Sequence, residues 1–404
     1  MSHSISLGAE DRISLLYSYP NDPNGKSSLA DTVLHWFNQT LQRDGLANLG
    51  VRAAVRVEGG NYFLDLDGPE SVANSFPEYD KRLTQFLNNG WDALTKVIPQ
   101  LKAEDKWDPS PDPEPPPYRP WRFFLPHGLA MLNQRSLQFF HYPPIRLLEG
   151  TQDYLMDPVP VRWAELLEAN GVSNDQEAWL YETVMDATPI AAADDQGSKK
   201  GGDPKWGLIP INYFHEYQKS QVELLLNVSS SHPDYTIPIV VYGAHPRDTF
   251  AELYNVKLGV NVAATAEIIP GKKTAVLGSN HPYVFYASAQ GFETVGSGHF
   301  KSQGDCQAAA KVMKTDLIVA RWQKVMAEDP SQNPQTVLND CTAYWSDPAR
   351  AAEICALVQH QGSLSYPDPN SLKFQFNVSL ELAASFCKAN DNDPCANVVP
   401  APMY

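Results

Sequence analysis

Ile239-Val240-Val241-Tyr242-Gly243-Ala244-His245-Pro246 and Thr274-Ala275-Val276-Leu277-Gly278-Ser279-Asn280-His281-Pro282 are the two stretches whose reading decides the fold. Each is a short apolar run that meets a glycine and passes into a polar bend ending in His-Pro. An apolar run of this length between turn residues reads as a strand buried on both faces. Pro246 suits the first turn of a helix, where its missing N–H forfeits no hydrogen bond, and Phe250, Leu253 and Tyr254 continue that helix. Val260 to Ala264 reads as a further strand, and Pro270-Gly271 leads into the run that reaches His281. Strand, helix and strand in this order favour a parallel pair with a right-handed crossover. If Val240 and Val276 share a sheet and a direction, His245 and His281 end on one edge.

That edge is where an open α/β sheet presents side chains to a ligand. His245 is the candidate general acid or base, because imidazole titrates near neutral pH without help. Asp248, three residues on, would orient it or titrate with it. His281 would polarise a substrate, and Arg247 and Lys301 would hold negative charge. The stretch from Gly296 to Asp305 is rich in glycine and opens a helix, a setting in which backbone amides approach phosphate or carboxylate. Tyr283, His299 and Ser302 join Arg247 and Lys301 as candidate ligand-binding residues. A metal variant would draw on His245, Asp248, His281 and His299, but sequence spacing does not make those four converge, and no metal is assigned.

His281-Pro282, Ala287, Gly291-Phe292 and His299-Phe300 resemble the His-Pro and His-Phe elements of uracil-DNA glycosylases over about twenty residues. The spacing departs from that family's. Its water-activating Gly-Gln-Asp-Pro-Tyr-His motif is missing, and Gly243-Ala244-His245-Pro246 lies too close in sequence to replace it. No role is carried across on this resemblance.

Before this region, residues 1–107 read as a small α+β domain. Ile13 to Tyr17 is expected to be a strand. Ser27 or Ser28 offers an N-cap to a helix with Leu29, Val33, Trp36, Phe37 and Leu41 on one face. Val51 to Val57 and Asn61 to Leu66 pair as a hairpin about Gly59-Gly60. Two helices follow, Glu78 to Asn88 and Trp91 to Lys102. Asp65 and Asp67 are expected at the solvent face and end of a half-buried strand. Residues 108–120 hold too many prolines for a helix or inner strand and read as an extended linker.

Residues 121–404 read as an α/β domain with a helical C-terminal segment. His127 and His141 stand among aromatics, where they line a pocket or serve as hydrogen-bonded packing residues. Helices are expected at 160–170 and 175–186, the second through Trp179, Leu180, Val184 and Met185. Asp194 to Pro204 is small, polar and glycine-containing, a surface loop or a lid. His215-Glu216 matches the start of the zinc-protease helix, but Lys219 stands where the second histidine belongs, so that motif fails. Asn333-Pro334 and Asp347-Pro348 each pair an N-cap with proline at the helix start. A late strand is expected over Leu372 to Val378 and a last helix over Leu380 to Lys388.

The fold class is therefore α/β: a partly parallel sheet flanked by helices, with an N-terminal α+β unit and a helical C-terminal region. With 43% hydrophobic residues over 404 positions the chain can build a large core. A net charge of −16 repels nucleic acid and anionic lipid, so neither is an expected partner. No apolar run is long enough for a membrane span. The first residues lack the basic and apolar regions of a secretory signal, so a cytoplasmic setting is expected. The five cysteines are expected as buried free thiols, with a Cys387 to Cys395 bridge if the protein is exported.

The functional expectation is a cytosolic enzyme acting on a small anionic or carbonyl-bearing molecule by histidine acid-base chemistry, with the catalytic set His245, Asp248 and His281. A homo-oligomer is compatible with the sequence, and no cofactor is identified, since no Walker loop, dinucleotide fingerprint or nucleophile elbow stands in a fitting context. The competing expectation is a binding or assembly protein without chemistry, supported by the aromatics, the prolines and the missing nucleophile.

Overall fold

The computed structural model describes residues 1–16, 28–103, 122–123, 131–141, 158–172, 183–191, 211–228, 232–282, 284–285 and 303–363. The chain begins with strand β1 (Ser2–Ala9), which runs directly into helix α1 (Glu10–Leu16). Ile13 therefore sits in a helix, not in the expected strand. Glu10 and Asp11 occupy the first turn of α1, where negative charge meets the positive end of the helix dipole. Helix α2 (Leu29–Arg43) starts at Ser28 with a full capping box to Asp31 and buries Val33, Trp36, Phe37 and Leu41.

Strands β2 (Arg52–Glu58) and β3 (Asn61–Asp67) form the expected hairpin, and β1 adds to the other side of β3, giving an antiparallel sheet in the order β1-β3-β2. Asp65 lies on the outer face, where it accepts from Arg56 and Ser4. After the short helix α3 (Glu70–Ala73), one continuous helix α4 (Phe76–Ala103) replaces the two expected from the sequence. The polar Asn88-Asn89-Gly90 step does not break it, because Leu83, Phe86, Leu87, Leu94 and Val97 keep one buried stripe across the step.

Strand β4 (Arg122–Phe123) pairs with the later β7 (Ile190–Ala191). The central sheet has five strands in the order β6-β5-β8-β10-β9, where β5 is Leu137–Phe140, β6 is Thr183–Asp186, β8 is Ile239–Tyr242, β9 is Val262–Ile269 and β10 is Lys272–Ser279. The first four in that order run parallel, and β9 returns antiparallel along the edge of β10. Val184 and Met185 thus belong to β6 and not to a helix. Their apolar run is compatible with either period, and pairing with β5 decides it.

Helix α5 (Pro158–Glu168) lies between β5 and β6 in the chain, α6 (His215–Val228) between β6 and β8, and α7 (Ala244–Tyr254) between β8 and β10. Alternate residues of each strand feed two apolar clusters. Leu137, Phe139, Met185, Ile239, Val241 and Val276 pack with α6, with Phe250 of α7 and with the N-terminal α2, α4 and β3, so one core runs from Ile5 to Val276. Phe140, Val184, Val240, Tyr242 and Leu277 face α5 and the C-terminal helices α8 (Gln303–Glu328), α9 (Pro334–Ser346) and α10 (Ala351–Ser363). Each fully buried side chain of this kind contributes about 1.5–3 kcal/mol.

Helix α9 carries the expected Asn333 cap with Pro334 at its start, and Asp347-Pro348 opens a short 3-10 turn that leads into α10. Cys341 is free and buried, as expected, whereas Cys355 is disulfide-bonded, which corrects the free-thiol expectation for that residue. The linker at 108–120, the segment from Asp194 to Pro204, His127 and the elements expected after Gly362-Ser363 lie outside the described residues. No helix among the described residues is long and apolar enough to cross a membrane.

Candidate functional site

The parallel strands deliver their ends to one edge of the sheet. From β5 the chain moves to β6 on one side and then returns to place β8 on the other side of β5, so the order reverses between β5 and β8. The crevice outside the carboxyl ends of two such strands is where open α/β sheets bind ligands. His141 is the first residue after β5, and His245 stands in the first turn of α7, just beyond β8. Their ring centres are 5.2 Å apart.

Both bends are held by backbone bonds that extend the sheet past its strands. Ala187 N–H donates to Phe140 O at 2.9 Å and Thr188 N–H to His141 O at 2.8 Å, which fixes the bend bearing His141. Gly243 N–H donates to Ser279 O at 3.0 Å, and Arg247 Nη1 donates to the same oxygen at 2.8 Å. Gly243 has φ 92° and ψ 165°, a region open essentially to glycine alone, and this lets the chain turn from β8 into α7. At Gly278 a Cβ would stand 2.3 Å from Gly259 O, so only a bare backbone fits there.

His281 follows β10 by two residues and reaches back across the sheet edge. Its ring meets the edge of Phe140 with centres 5.5 Å apart, and Phe140 stacks on Tyr242 at 4.5 Å. His245 and His281 thus end on the same edge, as the parallel pairing of β8 and β10 implies. The structure brings His141, which the sequence places among aromatics, to the same edge beside His245, because β5 lies next to β8.

Burial separates the three imidazoles. Burial pushes the His281 imidazole down to about 4. His141 is likewise lowered to about 4, by burial first and then by the fields of His245 and His281. Both rings are half-buried and neutral at pH 7, able to donate through one nitrogen and accept through the other. His245 is exposed.

Asp248 is also exposed, one turn along α7, and no hydrogen bond joins it to His245 among the described residues. Arg247 is half-buried with Nη1 committed to the Ser279 carbonyl. Tyr283, His299, Lys301 and Ser302 lie outside the described residues. Asp186 is a buried carboxylate at the end of β6, in register with Phe140, and its charge helps raise the Tyr217 hydroxyl, after burial. Sequence alone does not reveal it, because Val184 and Met185 fit a helical pattern as well as a strand. No group of three His, Cys, Asp or Glu side chains among the described residues is arranged to hold a metal ion. Comparison with protein-family models, with curated proteins and with solved structures gave no match.

Proposed function

We propose that the carboxyl edge of the central sheet binds a small anionic or carbonyl-bearing molecule and that His245 exchanges a proton with it. The observation that carries this reading is the meeting of His141 and His245, ring centres 5.2 Å apart, at the point where the strand order reverses. His245, exposed beside two imidazoles that stay neutral at pH 7, is the one of the three that a bound molecule can reach most openly. His281 polarises the substrate by hydrogen bonding, and His141 accepts from or donates to the same molecule or to His245. The unused donors of Arg247, with Tyr283, His299, Lys301 and Ser302 from the sequence after His281, supply further ligand contacts. Asp248 contributes as the nearest carboxylate along α7.

The test is a panel of small carboxylates, phosphates, aldehydes and ketones, scored by thermal unfolding of the wild type and of His141→Gln, His245→Gln and His281→Gln. At least one compound is expected to raise the unfolding temperature by several degrees, with the rise lost in the variants. A panel without effect, or a rise that survives all three substitutions, removes the site. One observation favours a non-catalytic binding protein instead: among the described residues no carboxylate is hydrogen-bonded to His245 to orient it. Under that reading the stabilising compound is recovered unchanged after prolonged incubation.

The disulfide at Cys355 favours an oxidising compartment over the cytoplasmic setting expected from the sequence. Peptide mapping of native material without reductant decides between them.

A further inference from the structure

One buried ion pair lies behind the site and takes no part in the chemistry above. Arg162 of α5 and Asp316 of α8 are 1% and 2% exposed, and the guanidinium donates from Nη2 to the carboxylate. Among the described residues its Nε and Nη1 find no acceptor. A pair so fully desolvated, with two donors unmatched, stabilises a fold less than apolar residues of similar volume would. What apolar residues would not supply is a planar cation locked in place by its carboxylate. The guanidinium carbon lies 4.5 Å from the centre of the Phe285 ring, within range of a cation–π contact.

Phe285 closes the turn that carries His281. Val284 N–H donates to His281 O at 2.9 Å and Phe285 N–H to Pro282 O at 3.1 Å, and the Phe285 side chain is fully buried. On its other side the His281 ring rests on Phe140, which stacks on Tyr242, which in turn takes the edge of Trp163 at 5.2 Å. Trp163 is the neighbour of Arg162. Helix α5 therefore meets the turn that carries His281 through Phe285, and the His281 ring itself through the Tyr242-Phe140 stack.

We infer that the Arg162–Asp316 pair is a positioning element for His281, holding its imidazole at the sheet edge through the Phe285 ring. The inference rests on the reading of His281 as a substrate-polarising group, but its test needs no ligand. The full-length protein is labelled with 13C at histidine Cε1, and the His281 resonance, assigned by its loss in His281→Gln, is followed from about pH 8 to about pH 5.5. In the wild type it stays unchanged over this range.

In the Arg162→Met/Asp316→Leu double variant, where no charge is left unpaired, the ring is expected to titrate within it, with a broadened line. Phe285→Leu keeps the ion pair but removes the ring, and the same change is expected. Arg162→Lys keeps the charge without the planar fork and is expected to restore the wild-type behaviour only in part. Leu338→Ala, a core cavity in α9, controls for loss of stability and is expected to leave His281 unmoved.

A His281 resonance that matches the wild type in the folded double variant, or in Phe285→Leu if the double variant does not fold, overturns the inference. So does a Leu338→Ala variant that moves His281 as far as the others. These outcomes remove the positioning role and leave the proposed site standing, whereas the compound panel can fail while His281 behaves as expected here.

Discussion

Gly243-Ala244-His245-Pro246 and Ser279-Asn280-His281-Pro282 leave neighbouring parallel strands and carry the same dipeptide, yet they meet different surroundings. The first runs straight into α7 and leaves its imidazole exposed. The second turns back above the sheet, where Phe140 stands against the ring and Phe285 closes the turn. The His-Pro pair sets the kind of bend; the wall behind it sets the protonation state. His281 is held neutral by burial, while His245 stays exposed to solvent.

If the wall behind His281 is what separates the two bends, the largest effects should come from damaging it. Asp316→Ala leaves the Arg162 guanidinium buried and uncompensated, and a loss of about 3–5 kcal/mol is expected in urea unfolding. The comparison breaks if this variant is as stable as the wild type.

The bend at His245 depends on backbone and not on a wall, so its weak point is Gly243. Gly243→Ala forces a Cβ into a conformation that only glycine adopts readily, with an expected cost of about 1–3 kcal/mol. Gly278→Ala, whose Cβ would press on Gly259 O, is expected to cost about the same through overpacking. Chemical denaturation of both variants checks these values.

The pH dependence follows from the depressed imidazoles. An unfolded histidine takes its proton near 6.5, whereas folded His281 and His141 do so only near 4. Above the first value both states are neutral and the shift has no effect. Between the two the unfolded state binds the proton first, so stability falls as pH drops through that window. The fall in unfolding free energy from about pH 7 to about pH 4.5 is expected to be smaller in His281→Gln and His141→Gln than in the wild type. An equal fall in all three contradicts the burial assigned to these rings. The smallest effect is expected at exposed Asp248, where Asp248→Asn should change stability by no more than about 0.5 kcal/mol.

The parts of this molecule legible in the sequence are those in which local pattern and tertiary packing agree. The runs at Val240 and Val276 are continuous, apolar and closed by glycine, and both prove to be inner parallel strands. Ser28 and Asn333 cap helices as their sequence contexts imply. Elsewhere long-range pairing overrides local pattern. Val184-Met185 becomes a strand because β5 is beside it, and α4 continues through Asn88-Asn89-Gly90 because its buried stripe is unbroken. His141 illustrates the limit for the site: nothing in Phe139-Phe140-His141-Tyr142 says that β5 will lie next to β8. Asp248 and His245, paired by spacing alone, are both exposed on α7, and no hydrogen bond joins them among the described residues.

The central claim is that His141 and His245 face one another across the reversal in strand order, and the most direct measurement is the titration of His141 by histidine-resolved NMR in the wild type and in His245→Gln. With the neighbouring imidazole in place, His141 is expected to hold off protonation to near pH 4, and its midpoint should rise when that neighbour is replaced by an uncharged side chain. An identical His141 titration in the two proteins would mean that the two rings do not share a site.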